Sequence, residues 1–336
     1  MKILFDHPNP FLLAHGGLQI QIEQTKNALT GIGLEVEHLR WWDDTQHGDV
    51  IHYFGRPDAG YLRLARRKNI RVVMSPLMGG LGARPAAARF AQKILKRLIE
   101  STVPATFAEN FRWDSFRQAD ACVAVTDWEA SLMVEMFQAT RSKVFTVPNG
   151  VEEVFLQSRP SPRGHWLVCT ASILEVKQVL KLAHAAVQAQ TPLWVIGKPF
   201  SEADDYAQRF TSFARQHPQF IRYAGPVSGR EELSRIYREA RGFVLLSQWE
   251  TLSLAALEAA ACQCPLLLGD LPWARGFFKD NATYCPTNIS IAATATLLRK
   301  FYDLSPQLPP PPRPQSWNDV ALKLKGIYET VLSAAA

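Results

Sequence analysis

Long apolar runs, cysteine pairs and a dinucleotide fingerprint are all missing from this 336-residue chain, and each absence excludes a class of protein. No stretch of about 18 uncharged apolar residues occurs, so no membrane-crossing helix is expected. The longest candidate, Leu252 to Leu268, is interrupted by Glu258, Gln263 and Pro265. The opening MKILFDHPNP stops being apolar at Asp6 and lacks the long apolar core and small-residue cleavage site of a signal peptide. Cysteine is scarce: Cys122, Cys169, Cys262, Cys264 and Cys285, an odd number in mostly apolar surroundings, read as reduced thiols packed inside a cytosolic protein. Cys262-Gln-Cys264 has no second Cys/His pair at zinc spacing, so no metal is expected. G-x-G-x-x-G is absent from the first turn, which argues against a dinucleotide there, and no cofactor is expected. Charge is moderate at +6, compatible with an anionic ligand or surface; no nucleic-acid partner is expected.

What the chain has is a 47% apolar composition, enough for a sizeable core, and a length that suits two domains. Short β-branched runs alternate with amphipathic segments. KILFD (2–6), LEVEHLR (34–40), DVIHYF (49–54), IRVVMS (70–75), ACVAV (121–125) and KVFTVP (143–148) read as strands. Helical patterns cover about Gly17–Leu29, Ala86–Glu100 and Asp127–Phe137. After SRPSPRG (158–164) the rhythm restarts with HWLVCTA, LWVIG, FIRYAG, GFVLL and PLLLG. Such alternation predicts parallel sheets flanked by helices, and two series predict two Rossmann-like α/β domains facing a cleft. LPPPPRPQ (308–315) is stiff and extended, and SWNDVALKLKGIYETVL reads as a terminal helix with Ser316 as N-cap.

Several residues bear chemistry in this pattern. Gly16-Gly17, after the first strand, permits close approach of backbone to an anion; an ordinary turn is the plain alternative. Lys177, near the start of a predicted helix in SILEVKQVLKLAHAA, reads either as a phosphate partner or as a solvated surface lysine. In WETLSLAALEAAACQCPLLLGD (249–270), Glu250 precedes a helix capped by Ser253 or Thr251, and Glu258 lies within it among apolar residues. A buried carboxylate requires a partner or a proton. Either the two glutamates accept hydrogen bonds from a hydroxyl-rich ligand, with amides of Thr251, Leu252, Ser253 and Leu254 facing negative charge, or Glu258 pairs with a core Arg or Tyr and Glu250 is exposed.

Here the sequence resembles the family 4 glycosyltransferases. E-TLSLAAL-E matches that family's E-x7-E element, and HGGLQIQIEQTKNALTGIGLEVE, VFTVPNGVEEVF and FIRYAGPVSGREELSRIYREARGFVLLS match further segments in the family's order. The resemblance covers most of the chain. It implies a GT-B architecture: an N-terminal acceptor domain over 1–155, a donor domain over 156–310, and a helix over 311–336 crossing back to the first domain. It implies retaining transfer of a hexose-type sugar from a nucleoside diphosphate donor, with UDP placed ahead of GDP or ADP, to a glycan, lipid or small-molecule acceptor. Glu258 would hold the ribose hydroxyls, Glu250 the sugar hydroxyls, and Lys177 the departing phosphate. Gly16 and Gly17 would admit the diphosphate, and backbone from Gly225 to Val227 would border the base.

The chain departs from the family in specific places. The family's Arg upstream of the Lys falls at Ser172, and the Gly after the Lys is Gln178. Lys198 and Arg275 are candidates to replace the missing cation. A family His after the fourth strand is absent from SPLMGG, leaving His15 and His52 as cleft candidates or structural residues. These departures motivate an alternative, a degenerate GT-B protein that binds nucleotide or a partner without efficient transfer. An NAD-dependent two-domain enzyme and a periplasmic sugar-binding protein are further readings, opposed by the missing fingerprint and export signal. Finally, RPAAARFAQKILKRLIE (84–100) sets Arg89, Lys93, Lys96 and Arg97 near one helical face and Phe90, Ala91, Ile94 and Leu98 towards another. It reads as a basic surface helix or as a weak peripheral contact with the anionic inner face of a membrane.

Overall fold

A computed structural model describes residues 1–8, 10–12, 16–82, 84–102, 113–157 and 161–334. The chain divides into two units, Met1–Asn149 with Trp317–Ala336, and Gly150–Ser316. Val151 and Ser316, next to the two boundaries, form an isolated parallel β-bridge.

The first unit holds strands β1 (Lys2–Asp6), β2 (Glu35–His38), β3 (Val50–Tyr53), β4 (Arg71–Met74), β5 (Ala121–Ala124) and β6 (Val144–Thr146). They form one parallel sheet in the order β2-β1-β3-β4-β5-β6. Its helices are α1 (Gly17–Gly31), α2 (Ala59–Arg67), α3 (Gly79–Gly82), α4 (Ala86–Thr102), α5 (Ser115–Gln118) and α6 (Asp127–Glu135). VIHY and ACVA are buried along their whole length, as expected of strands covered on both faces. Leu4, Ile51, Val72, Met74, Cys122, Phe116 and Met133 belong to one core cluster.

The second unit repeats the plan. Its strands are β7 (Leu167–Thr170), β8 (Leu193–Ile196), β9 (Ile221–Tyr223), β10 (Gly242–Leu245), β11 (Leu266–Gly269) and β12 (Thr283–Cys285), all parallel, in the order β12-β11-β10-β7-β8-β9. Helices α7 (Glu153–Leu156), α8 (Val179–Gln188), α9 (Asp205–Gln216), α10 (Arg230–Glu239), α11 (Leu254–Ala261), α12 (Pro272–Phe278) and α13 (Ile291–Leu304) connect them. The last helix, α14 (Trp317–Ser333), packs on α1 in the first unit. β12 has no apolar run to announce it, being three residues long and partly exposed.

All five cysteines are free and buried, and burial pushes Cys122, Cys169 and Cys264 up to about 12, so they act as packing residues. Among the described residues, no helix is long and apolar enough to cross a membrane, and no three His, Cys, Asp or Glu residues group as metal ligands would.

Two expectations gain detail. In α4 one basic residue is turned inward: Lys96 is 2% exposed with its ammonium 5.4 Å from the Trp113 ring, while Arg89 is half-buried with its guanidinium 5.8 Å from the Trp128 ring and Arg97 is exposed. Long cationic stems cover indole faces well. Phe90, Ile94, Leu95 and Leu98 are exposed alongside Arg97, so part of the cationic face stays open to solvent. His52, a cleft candidate by sequence, is a core residue. Its Nδ1 lies 2.7 Å from the Tyr328 hydroxyl on α14 and its Nε2 lies 2.7 Å from the Ser75 hydroxyl. Burial holds its imidazole down to about 3.

Two outcomes are expected. A histidine kept neutral when folded, but free to protonate near 6.5 when unfolded, contributes stability that is complete above that value and lost as pH falls. In urea unfolding at pH 7 and pH 5, the wild type should lose about 2 kcal/mol more than His52→Gln; equal losses would contradict this. The second concerns Gly197, after β8, where φ is +150° and a Cβ would stand 1.9 Å from the Ala171 carbonyl oxygen. Gly197→Ala must displace the backbone after β7 and should destabilise the protein by about 3 kcal/mol in chemical denaturation; a cost within experimental error would show that the loops do not press together.

Candidate functional site

In the second sheet the chain runs outward from β7 through β8 and β9, then returns to the other side of β7 to place β10. The winding therefore reverses between β7 and β10. Loops leaving the carboxyl ends of those two strands diverge to opposite faces, and the crevice they leave is where open α/β sheets bind ligands. The loop after β7 carries Ser172 and Lys177. The loop after β10 carries Glu250 and leads through Ser253 into α11 and Glu258. Topology thus gathers residues far apart in sequence.

These loops are joined by charge and backbone. The Lys177 ammonium forms an ion pair with the Glu250 carboxylate, and the Ser247 hydroxyl donates to Glu250 Oε1 at 2.8 Å. The Gln248 amide donates to the Val176 carbonyl at 2.7 Å. Side-chain exposures of 23% for Lys177 and 12% for Glu250 exclude both the solvated lysine and the exposed glutamate of the plainer readings. Lys177 does not lie on the helix. It ends a short 3₁₀ turn, Glu175–Lys177, and Gln178 then takes a left-handed conformation (φ 51°) before α8 begins at Val179. A position that needs positive φ is one that glycine fills without strain, which accounts for Gln178 standing out in the sequence. Its side-chain amide donates to the Thr287 carbonyl at 3.3 Å, as does Lys181 Nζ at 2.9 Å.

The loop after β8 closes on the same region. The Ile173 amide donates to the Lys198 carbonyl at 3.1 Å, and the Gly197 amide donates to the Gly225 carbonyl at 3.3 Å. Ile173, next to Ser172, thus meets the Lys198 backbone, and Gly197 meets that of Gly225. The Lys198 residue is exposed, Val227 is half-buried, and Gly225 has φ +85°. Arg275 forms a bidentate pair with Asp270 at 2.7 and 2.8 Å, so its charge is already matched.

Glu258 lies deeper, 6% exposed, on a helix whose residues Ala256 to Ala261 are all buried. Ser253 caps that helix, its hydroxyl accepting from the Ala256 amide at 3.3 Å. Leu252 is buried and Thr251 and Leu254 are half-buried. Glu258 pairs with Arg230, and the same Nη2 lies 2.6 Å from Glu152. Burial pushes the Glu258 carboxyl above the usual carboxylate range, and Arg230 opposes that shift. The core arginine considered for Glu258 is therefore real, and sequence reasoning did not identify it. SGREEL marks a helix start, but nothing in its spacing points to a carboxylate 28 residues on.

In the first sheet the corresponding reversal lies between β1 and β3. Gly16, with φ +143°, is the N-cap of α1, and among the described residues no atom beyond the chain neighbours lies within 4 Å of a Cβ built at Gly16 or Gly17. Packing does not demand the second glycine. His15 lies outside the described residues.

Comparison with known proteins bears on the family and the fold. Residues 167–314 match the family model described as glycosyl transferases group 1, and residues 29–154 match that described as glycosyltransferase family 4. A D-inositol 3-phosphate glycosyltransferase of Actinosynnema mirum is 28% identical over 192 residues, 49% of this chain; the match spans 45% of that relative's length. Among solved structures, a sucrose-phosphate synthase of Thermosynechococcus elongatus aligns with TM-score 0.69 at 14% identity, covering 99% of each chain. A glycosyltransferase of Rickettsia africae aligns at 0.65 with 12% identity, covering 98% of each. Anabaena HepE, solved with UDP and glucose, aligns at 0.62 with 10% identity, covering 98% of this chain and 99% of its own. These structural likenesses give the fold, the two-domain α/β GT-B architecture. With both of its units matched to models of that group, the chain belongs to the family 4 glycosyltransferases.

Proposed function

We propose that this protein transfers a hexose-type sugar, with retention of configuration, from a nucleoside diphosphate donor to a hydroxyl acceptor in a reducing compartment. The observation that carries this reading is the meeting of Lys177 and Glu250 at the sheet reversal, with Glu258 behind them. UDP is the favoured carrier because the HepE structure of the same fold was solved with UDP and glucose.

The residues divide the work by charge. Lys177 offers the diphosphate a cation at the ligand end of the sheet, where charge that develops on a leaving phosphate is stabilised by a group already in place. Glu250 accepts hydrogen bonds from sugar hydroxyls, with amides of 251–254 beside it. Glu258 accepts from the ribose hydroxyls, and Gly225 to Val227 border the base. In the first unit, Gly17 is assigned to close approach of an oxyanion, and the acceptor is assigned to that unit's loops. In a retaining front-face step, the bond from the anomeric carbon to the phosphate oxygen breaks and its electron pair goes to that oxygen. The acceptor oxygen then bonds to the same face of the carbon and gives its proton to the departing phosphate. No second carboxylate nucleophile is required.

Proton NMR on protein incubated with UDP-glucose, UDP-galactose and UDP-N-acetylglucosamine tests this. Slow release of sugar, first seen as the α-anomer from an α-linked donor, is expected. A β-anomer would show inversion. Binding of UDP with no release from any donor would favour the non-transferring alternative that Ser172 motivates. Glu258→Ala should lower UDP affinity by about 2 kcal/mol, near thirtyfold, in calorimetry; unchanged affinity would remove Glu258 from the nucleotide site.

A further inference from the structure

The cluster around Glu258 holds more carboxylate than cation. Arg230 Nη2 alone contacts both Glu258 Oε1 and Glu152 Oε1, and the guanidinium stacks over Phe155 at 4.7 Å. Glu152 is 25% exposed at its side chain and partly solvated, whereas Glu258 is 8% exposed and depends on Arg230 for compensation. Among the described residues, the side chains that act on the Glu258 carboxyl are Arg230, Glu152 and Tyr237, with no second cation. Arg230 Nε, the Tyr237 hydroxyl and Thr170 Oγ1 are buried without a hydrogen bond of ordinary geometry, although the Tyr237 hydroxyl lies close enough to Glu258 and Thr170 to interact with both. Thr170 is the last residue of β7, so the cluster adjoins the reversal point.

We infer that Arg230 is a positioning residue: it binds Glu258 through Oε1, keeps that carboxylate charged inside the fold, and thereby leaves Oε2 to accept a vicinal diol. This rests on the proposed role of Glu258 toward the ribose and goes beyond it, because it makes ribose recognition a property of a pair. The shared Nη2 gives the pair a built-in weakness. Glu152 competes for the same nitrogen and, being negative, works against ionisation of Glu258. Removing Arg230 and removing Glu152 should therefore move diol recognition in opposite directions. A merely structural role for Arg230 predicts no such opposition.

The test is calorimetric binding of UDP and of 2′,3′-dideoxy-UDP between pH 6 and pH 8.5. The wild type should prefer the ribo form by at least about tenfold at pH 8.5, the scale of a hydrogen bond to a charged group, and by less at pH 6, where Glu152 opposes ionisation of Glu258. Arg230→Met should lose most of that preference at pH 7 and regain part of it as pH rises and Glu258 ionises. Glu152→Gln, a milder change at a partly solvated side chain, should raise the preference several-fold. A wild type without preference would overturn the ribose role of Glu258 itself. A wild type that discriminates, with Arg230→Met discriminating equally at every pH, would overturn the role of Arg230 alone. Should Arg230→Met not fold, Glu152→Gln decides: a higher ratio supports the inference, and an unchanged or lower ratio overturns it.

Discussion

The ion pair between Lys177 and Glu250 is the contact on which the site depends. It spans the place where the second sheet reverses its winding, and it ties together two loops that topology sends apart. Neither partner is fully buried, so its contribution to stability is modest, about 1 kcal/mol or less. Its value is geometric. A cation suited to a diphosphate and a carboxylate suited to sugar hydroxyls are held at one point, and the Gln248–Val176 backbone bond fixes the loop that carries the carboxylate. Under the proposed function a diphosphate would compete with Glu250 for Lys177 and release Glu250 toward the sugar.

Charge around this point is closely matched. Ser172 stands where relatives in the family carry a cation, and the neighbouring basic residues have other tasks. Arg275 is matched by Asp270, Lys181 is bound to the Thr287 carbonyl, and Arg230 serves Glu258 and Glu152. Lys198 is exposed on the loop after β8, whose backbone touches that of Ile173, and is the best placed side chain to supplement Lys177. Under the proposed function the site would rely on fewer cations than the family pattern, and Ser172 would bear most on the strength of diphosphate binding.

The fold was largely legible because parallel strands buried on both faces appear as continuous apolar runs. ACVA, GFVL and LLLG could be recognised without knowing their neighbours. So could the helix from Leu254 to Ala261, where one carboxylate stands among alanines and leucines. The illegible parts were set by tertiary partners. Periodicity placed Lys177 on a helix, whereas a left-handed residue at Gln178 ends the turn before the helix starts. Periodicity found two faces on α4 but not that Trp128 and Trp113 would engage Arg89 and Lys96 of the cationic one. His52 looked available because sequence does not show that Tyr328, on the last helix, satisfies it. The partner of Glu258 lay on another helix, with no spacing rule to connect them.

The most direct test of the account is calorimetric UDP binding to wild type and Glu250→Gln at low and moderate salt. If Lys177 is the diphosphate cation and Glu250 competes for it, the variant should bind UDP several-fold more tightly, with the larger gain at low salt, and should transfer sugar more slowly. Weaker UDP binding by Glu250→Gln would contradict the account, because it would mean that the ion pair builds the phosphate site instead of yielding to it.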